Sequence, residues 1–275
     1  MNHEELMARL NELAEPEYAA FSSALVPGCR PMLGVRIPAL RRLAKELART
    51  PEESLAMLTS ATFEEGMLRG LVCACAKGDA AARKARLTAL LPHIDNWSVC
   101  DSTAATCKFM AKEPEVWLPW LRELALSEAE FTARFGLVCL LDHFTANPEH
   151  RRVVLSVCGE VPCPAPYARL AVAWAVSATA AKEPALGLAW LRQDTLDTAT
   201  HNKAVQKACE SLRLTPAQKA AFRALKRKPY KRAPAFSVSS RISADIDAIS
   251  LYFFSCLCYN IGNTQRTVKK SFAAP

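Results

Sequence analysis

The residues best suited to chemistry are two tryptophans, one aspartate and one arginine. Trp97 and Asp101 are four residues apart in one predicted helix, so their side chains share a face. Arg134 stands near the start of a later helix, and Trp174 lies in the apolar run AVAWAV. Indole rings can hold a cation or a sugar ring, and a carboxylate can stabilise a developing positive charge or orient a water. Arg134 can hold a phosphate while it keeps Asp101 ionised.

Each of these four residues also has a purely structural interpretation. Trp174 lies in an Ala/Val-rich helix, where tryptophan is more often part of the core, and Trp97 could be a wedge between helices. Asp101 and Arg134 could form a salt bridge between neighbouring repeats. The coincidence of all four residues favours a functional site. Because its helix is the more apolar, we expect Trp174 to matter more for stability than Trp97.

A repeat positions these residues. Five apolar helices open on a polar or charged residue, and the openings are separated by 32, 33, 35 and 34 residues. The openings are Arg69, Asp101, Arg134, Arg169 and Lys203. Another helix is predicted in each interval, over 80–91, 113–125, 148–158 and 184–192. A repeated two-helix unit is typical of an all-α, HEAT-like α-solenoid of stacked antiparallel helix pairs with a concave groove. The openings are then expected in a row along that groove, although ordinary surface and capping charges would show the same spacing.

Capping signals indicate where the two helices that carry Asp101 and Arg134 begin. Asn96, directly before Trp97, predicts an N-cap for the first of them. The segment 127–130, Ser-Glu-Ala-Glu, has the spacing of a capping box and predicts the start of the second helix at Ser127.

The composition predicts one helical body followed by a different tail. With 51% hydrophobic residues, 8% aromatic residues and only 9 glycines, the chain can bury a core but lacks the turns of an all-β fold. We predict a helical domain over residues 1–227 and a basic linker with an apolar tail over 228–275. Residues 226–275 hold nine Lys/Arg and two Asp of a chain whose net charge is +8, so a basic face on the body must arise from clustering.

Several classes of protein are excluded or disfavoured. No uncharged apolar run reaches the roughly 18 residues that a membrane span needs, and the acidic, amphipathic N-terminus argues against a secretory signal. The 11 cysteines form no CxxC pair, which disfavours zinc and disulfide frameworks. We therefore expect a reduced, cytoplasmic and monomeric protein that uses neither a metal nor another cofactor and does not contact membranes.

Several long segments resemble the bacterial DNA alkylation repair (AlkD-like) family, in collinear order over about residues 5–227. They are LGVRIPALRRLAKEL, LPHIDNWSVCDS, FTARFGLVCLLDHF, YARLAVAWAVSATAAKEP and HNKAVQKACESLR. The resemblance implies a HEAT-like glycosylase that removes N3- and N7-alkylated purines from duplex DNA. It implies Asp101 as the catalytic aspartate, with Arg134, Trp97 and Trp174 in the active site. The family also uses an aromatic residue from an N-terminal helix, and the matching stretch here, FSSALVPG from Phe21, contains no tyrosine.

The implied chemistry fits the residues. An N3- or N7-alkylated purine carries a positive charge and is already a good leaving group, so its removal needs a stabilised oxocarbenium-like sugar and a placed water. Repeat position makes Arg69, Arg169 and Lys203 candidate DNA contacts beside Arg134. Arg36, in the LGVRIP turn, is a further candidate with an equally simple surface interpretation. The alternative function is a non-catalytic HEAT-like scaffold that binds nucleic acid or protein.

Overall fold

Helices are the only regular secondary structure in residues 1–162 and 165–228, the part of the chain that the computed structural model describes. The α-helices are α1 His3–Glu12, α2 Pro16–Leu25, α3 Ile37–Leu47, α4 Pro51–Met57, α5 Phe63–Cys75, α6 Ala80–Leu90, α7 Trp97–Thr106, α8 Pro114–Ala125, α9 Glu130–Phe144, α10 Pro148–Glu160, α11 Pro166–Lys182, α12 Pro184–Leu191, α13 Thr198–Glu210 and α14 Pro216–Arg223. No helix among these is long and apolar enough to cross a membrane. The predicted tail lies outside the described residues, apart from Lys228.

The helices form an α-solenoid of two layers. In one layer α3, α5, α7, α9, α11 and α13 pack side by side in chain order. The helices between them pack against this row as a second layer, through pairs such as α5 with α6, α8 with α9 and α10 with α11. The predicted all-α, HEAT-like architecture is therefore confirmed. The four intervening helices predicted from the repeat are α6, α8, α10 and α12.

Two glycines set the spacing of the helices that carry the candidate site. A Cβ atom at Gly70 in α5 would meet the hydroxyl of Thr103 in α7. A Cβ atom at Gly136 in α9 would meet the backbone of Leu121 and Ala125 in α8. Because neither glycine has a side chain, α7 and α9 can lie closer to their neighbours than larger residues would allow.

The two predicted capping signals have different outcomes. The Asn96 side chain accepts a hydrogen bond from the Val99 N–H at 3.0 Å, so this N-cap is confirmed and α7 begins at Trp97. The predicted capping box at 127–130 is wrong, because α9 begins only at Glu130 and has no side-chain cap. The carboxylate of Glu130 instead accepts the Tyr167 N–H at 2.6 Å, which ties α9 to the start of α11. A tertiary contact has replaced the local cap.

A buried carboxylate shapes the turn that leads into α3. Glu64, in α5, is 1% exposed and accepts three backbone N–H groups, from Leu33 at 3.0 Å, Gly34 at 2.8 Å and Val35 at 3.1 Å. Three donors on one buried carboxylate compensate the cost of removing its charge from water. The turn before Arg36 is thereby fixed to the helical stack.

Candidate functional site

Asp101 and Arg134 form a two-point ion pair between neighbouring helices of one layer. Arg134 Nε donates to Asp101 Oδ1 at 2.8 Å, and Arg134 Nη2 donates to Asp101 Oδ2 at 2.7 Å. The third guanidinium nitrogen, Nη1, donates to the Tyr167 carbonyl oxygen at 2.8 Å. Because these partners lie on α7, α9 and the first turn of α11, Arg134 joins three successive repeats.

The pair lies inside the protein rather than on its surface. Asp101 is 8% exposed and Arg134 is 2% exposed. Burial raises the pKa of Asp101, and the charge and hydrogen bonds of Arg134 oppose that shift. Burial also disfavours the Arg134 cation, but the Asp101 carboxylate outweighs it and raises the pKa of the guanidinium. Asp101 therefore depends on Arg134 to stay ionised in this environment.

The neighbouring thiol does not compete with Asp101 as a reactive group. Cys100 is fully buried, and its Sγ contacts the Phe131 carbonyl oxygen at 3.7 Å. Burial raises the pKa of Cys100 well above its ordinary value, and the charge of Asp101 raises it further. A thiol that stays protonated is a poor nucleophile. Asp101 is thus the group on this turn of α7 that can present a negative charge.

The two tryptophans lie in different environments. Trp97, the first residue of α7, is 7% exposed, and its indole N–H donates to the Leu25 carbonyl oxygen at 3.1 Å. This bond ties α7 to the end of α2. Trp174 is half-buried in α11, although its neighbours Ala173 and Ala175 are fully buried. Trp174, which lies in the more apolar helix, is therefore the less buried of the two tryptophans.

An exposed aromatic residue lies on the helix that Trp97 contacts. Phe21 is 54% exposed in α2, one helical turn before Leu25. This is the stretch in which the family resemblance implies an aromatic side chain near the pocket. A phenyl ring can supply an apolar wall, but it lacks the hydroxyl that a tyrosine would bring.

Two of the arginines that are predicted to contact DNA form hydrogen bonds within the protein. Arg69 donates to Ser60 Oγ at 2.9 Å and to the Leu58 carbonyl oxygen, which holds the turn before α5. Arg36 forms an exposed two-point pair with Glu15, with both N–O distances 2.7 Å, and its guanidinium lies 4.6 Å from the centre of the Tyr18 ring. Neither arginine contacts the Asp101–Arg134 pair through these bonds.

The remaining predicted cations lie on the later repeats. Arg169, near the start of α11, has a buried Nε with no hydrogen-bond partner among the described residues. Burial raises the pKa of Asp197, but hydrogen bonds from Thr200 outweigh this effect and lower it, and the charge of Arg169 lowers it further. Lys203 is half-buried in α13. One turn further, burial lowers the pKa of Lys207, and the nearby charges of Lys203 and Arg134 lower it further, against Glu210. Of the two lysines, Lys207 is thus the one whose pKa responds to the charge of Arg134.

Three residues of this region were not singled out from the sequence. Lys207 follows Lys203 by four residues, a spacing that predicts a shared helix face. The Tyr167 ring lies 5.9 Å from the Arg134 guanidinium and 5.4 Å from the Phe131 ring, although nothing in the sequence sets Tyr167 apart. Asp142 lies two turns after Arg134 in α9, and burial together with the charge of Asp101 raises its pKa to about 7, against Lys182.

In residues 1–162 and 165–228, no group of three or more His, Cys, Asp or Glu side chains is placed to hold a metal ion.

The fold and site define a helical-repeat protein with a buried carboxylate–guanidinium pair built into one layer of its stack. The family model described as "DNA alkylation repair enzyme" matches residues 6–212, and the chain belongs to that family. No curated protein matches the chain. Membership of the family assigns the protein to the repair of alkylated DNA.

Proposed function

We propose that this protein is a DNA glycosylase that hydrolyses the N-glycosidic bond of N3- and N7-alkylated purines in duplex DNA. The observation that carries the proposal is the buried two-point pair of Asp101 and Arg134, with Trp97 one turn before the aspartate. A carboxylate held as an anion, away from bulk water, can stabilise a developing cation strongly.

The leaving group explains why one carboxylate suffices. Alkylation at N3 or N7 gives the purine a positive charge, so the electron pair of the breaking C1′–N bond neutralises the ring and no proton has to be added to it. The charge that develops in the transition state lies on the deoxyribose. Asp101 stabilises this oxocarbenium-like sugar and orients the water that attacks C1′, while the water proton passes to solvent.

Arg134 has a positioning role in this reaction. Its guanidinium orients both oxygens of Asp101 and keeps the carboxylate ionised against the effect of burial. Trp97 and Trp174 supply apolar walls for the sugar, and the exposed ring of Phe21 is a further candidate wall. The charge of Arg134 also attracts the phosphates that flank the damaged nucleotide.

DNA binding uses cations spread over several repeats. We assign this role to Arg36, Arg69, Arg134, Arg169 and Lys203, and we add Lys207, whose pKa is lowered in part by the charge of Arg134. A row of cations across successive repeats suits a partner whose charge recurs along its axis, as the phosphates of duplex DNA do. The protein acts as a monomer in the cytoplasm under this proposal.

Release of free base from methylated duplex DNA tests the proposal. Purified protein is incubated with duplex DNA that contains 7-methylguanine or 3-methyladenine, and the released bases are separated by chromatography. Binding to the same duplex is measured in parallel. We expect release of methylated purines well above the spontaneous rate and no release of normal bases. DNA binding without any base release would support the scaffold alternative instead.

A further inference from the structure

A basic cavity lies between the end of α3, the start of α4 and the end of α5. It has a volume of about 480 Å³ and is lined by Lys45, Ala48, Arg49, Pro51, Cys75 and Lys77. Three of these six lining residues are cations and none is an acid. The three cations are exposed, whereas Cys75 is half-buried. We call Lys45, Arg49 and Lys77 the cavity cations.

Two arginines of α6 fix the turn that carries Lys77. Arg86 Nη2 donates to the Lys77 carbonyl oxygen at 2.8 Å, and Arg83 Nε donates to the Gly78 carbonyl oxygen at 2.8 Å. Arg86 Nε also lies 3.4 Å from a carboxylate oxygen of Glu52, next to Pro51 at the start of α4. Because Arg86 contacts both walls, it holds the two sides of the cavity at a set distance from each other.

The acids that are close in sequence to the cavity cations have partners of their own. Glu46, directly after Lys45, accepts two hydrogen bonds from Arg9, at 2.9 and 3.4 Å. These bonds lower the pKa of Glu46, and the charge of Arg49 contributes only weakly to the shift. Asp79, two residues after Lys77, caps the start of α6. The positive charge of the cavity is therefore not spent on these carboxylates.

Helix stability alone does not explain the placement of the cations. Arg41, Lys45 and Arg49 follow one another at intervals of four residues along α3 and its C-terminal cap. Like charges at this spacing destabilise a helix, although cations near a C-terminus interact favourably with the helix dipole. The Ser54 hydroxyl already donates to the Leu47 carbonyl oxygen at 2.9 Å in the last turn of α3. A bound anion would offset the repulsion that remains.

Arg41 connects the cavity to the helix that carries Asp101. Its Nη1 donates at 2.8 Å to the hydroxyl of Thr106, the last residue of α7. Burial raises the pKa of Cys75, and the charges of Arg41 and Lys45 oppose that shift, so both cations lie near the cavity thiol. Neighbouring packed helices lie about 8–10 Å apart, which places the cavity about 12–15 Å from α7 within the same layer.

We infer that this cavity binds a backbone phosphate of duplex DNA, a few nucleotides away from the damaged one. The inference rests on the proposed function, because it takes duplex DNA as the partner. Phosphates recur about every 3.4 Å along each strand, so about 12–15 Å corresponds to about four nucleotides. A phosphate accepts several charged hydrogen bonds at once, which suits three cations around one cavity. The same layer carries further cations on α11 and α13, and such a series matches a long polyanion better than a small one.

The first test compares two sets of charge substitutions in the full chain. The cavity variant changes Lys45, Arg49 and Lys77 to Gln, and the control changes three exposed arginines on or beside helices of the other layer, Arg152, Arg192 and Arg223, to Gln. Circular dichroism verifies that both are folded, and binding to a short unmodified duplex is measured across a salt series. We expect the cavity variant to reduce the salt slope by about 2–3 and to weaken binding about 10-fold near physiological salt. The control should change the slope much less, and equal slopes in the two variants would overturn the inference.

The second test uses Cys75 as a reporter inside the cavity. The wild-type chain is alkylated with N-ethylmaleimide, and peptide mapping by mass spectrometry gives the rate at each cysteine. With unmodified duplex at about ten times its Kd, we expect alkylation of Cys75 to slow about 5-fold or more, since the bound fraction is protected. Cys209, whose Sγ contacts the Lys219 carbonyl oxygen at 3.5 Å on the side of α14, is the reference thiol and should keep its rate. Unchanged alkylation of Cys75 under saturating duplex would overturn the inference.

Two further arms distinguish the possible outcomes. Inorganic phosphate at the same total phosphate concentration should not protect Cys75, and protection equal to that by duplex would overturn the inference in favour of a small anion. Base release by the wild-type protein is measured separately on methylated duplex. Base release without any effect at the cavity removes only this inference. Protection of Cys75 by duplex without base release supports the cavity as a DNA contact and removes the proposed glycosylase activity.

Discussion

Arg134 holds both carboxylate oxygens of Asp101 at 2.7–2.8 Å, across the boundary between two helical repeats. Each residue is the fifth of its helix, so the pair joins equivalent positions of α7 and α9. The repeat therefore produces the pair directly, since neighbouring repeats bring equivalent positions side by side. The same position carries an acid, Asp101, in one repeat and a base, Arg134, in the next.

Removing Arg134 should cost more stability than removing the charge of Asp101. Arg134→Ala leaves a buried carboxylate without its partner, which we expect to cost about 3–5 kcal/mol of unfolding free energy. Asp101→Asn in the same chain should restore part of this loss, because the amide carries no charge to bury. Urea unfolding of the two single variants and the double variant measures the effect. If the double variant were less stable than Arg134→Ala alone, the buried charge would not be the cause.

Arg134→Lys should separate orientation from charge. Lysine keeps the positive charge but cannot donate to both oxygens of Asp101 in a planar fork. We expect duplex binding at physiological salt to remain similar while the single-turnover rate of base release falls about 10-fold or more. A variant with normal base release and weakened binding would assign Arg134 to phosphate contact rather than to positioning.

Replacing each tryptophan should lower the unfolding free energy, and the loss should be larger for Trp97, which is the more buried of the two. Trp97→Ala should cost about 3–5 kcal/mol, because it empties a buried site and leaves the Leu25 carbonyl oxygen without its donor. Trp174→Ala should cost less, since Trp174 keeps part of its surface in solvent. Unfolding of both variants in urea checks the order. This reverses the expectation from the sequence, where the apolar helix around Trp174 suggested that Trp174 matters more for stability.

Two lysines of α13 should contribute separately to DNA affinity. Each of Lys203→Gln and Lys207→Gln should reduce the salt slope of duplex binding by about 1, since each removes one phosphate contact. Lys219→Gln, on the outer helix α14, is the matched control and should leave the slope unchanged. An unchanged salt slope in both α13 variants would indicate that these two lysines do not contact DNA.

Asp142 should make the protein less stable as the pH rises. Burial and the charge of Asp101 raise the pKa of Asp142 to about 7, whereas the unfolded chain releases the same proton near the ordinary value. Between about pH 4 and 7 the folded state therefore holds the extra proton, and unfolding free energy falls with increasing pH. Asp142→Asn should then be more stable than wild type by about 1–3 kcal/mol at pH 8, with no gain at pH 4. A gain that does not change with pH would point to a cause other than ionisation.

The sequence predicts the fold closely because its signals are local and repeated. Proline and asparagine at helix starts fix α7 and α10, and the spacing of Asp101 from Arg134 anticipates their contact. Side-chain partners that lie outside the same helix are harder to predict. Arg69 bonds to the turn before its own helix, and Glu130 bonds to Tyr167 instead of capping α9. In each case the side chain bonds to a backbone group, and this bond competes with the role that spacing suggested.

Burial of individual side chains also depends on contacts that no periodicity reveals. Trp97 is buried because the end of α2 supplies a carbonyl oxygen for its indole N–H, and Leu25 lies 72 residues earlier in the chain. The Tyr167 ring reaches Arg134 because α11 packs beside α9. Residues of this kind become visible only once the helices are stacked.

The rate of base release by Asp101→Asn tests the proposed chemistry most directly. The measurement is made under single-turnover conditions on a duplex with 7-methylguanine, with enzyme in excess over DNA. Asp79→Asn, whose amide can still cap α6, is the matched control. We predict that Asp101→Asn binds the duplex at least as tightly as wild type and releases base about 10²-fold more slowly, while the control is unaffected. Normal base release by Asp101→Asn would contradict the proposed mechanism and leave the ion pair a structural link between repeats.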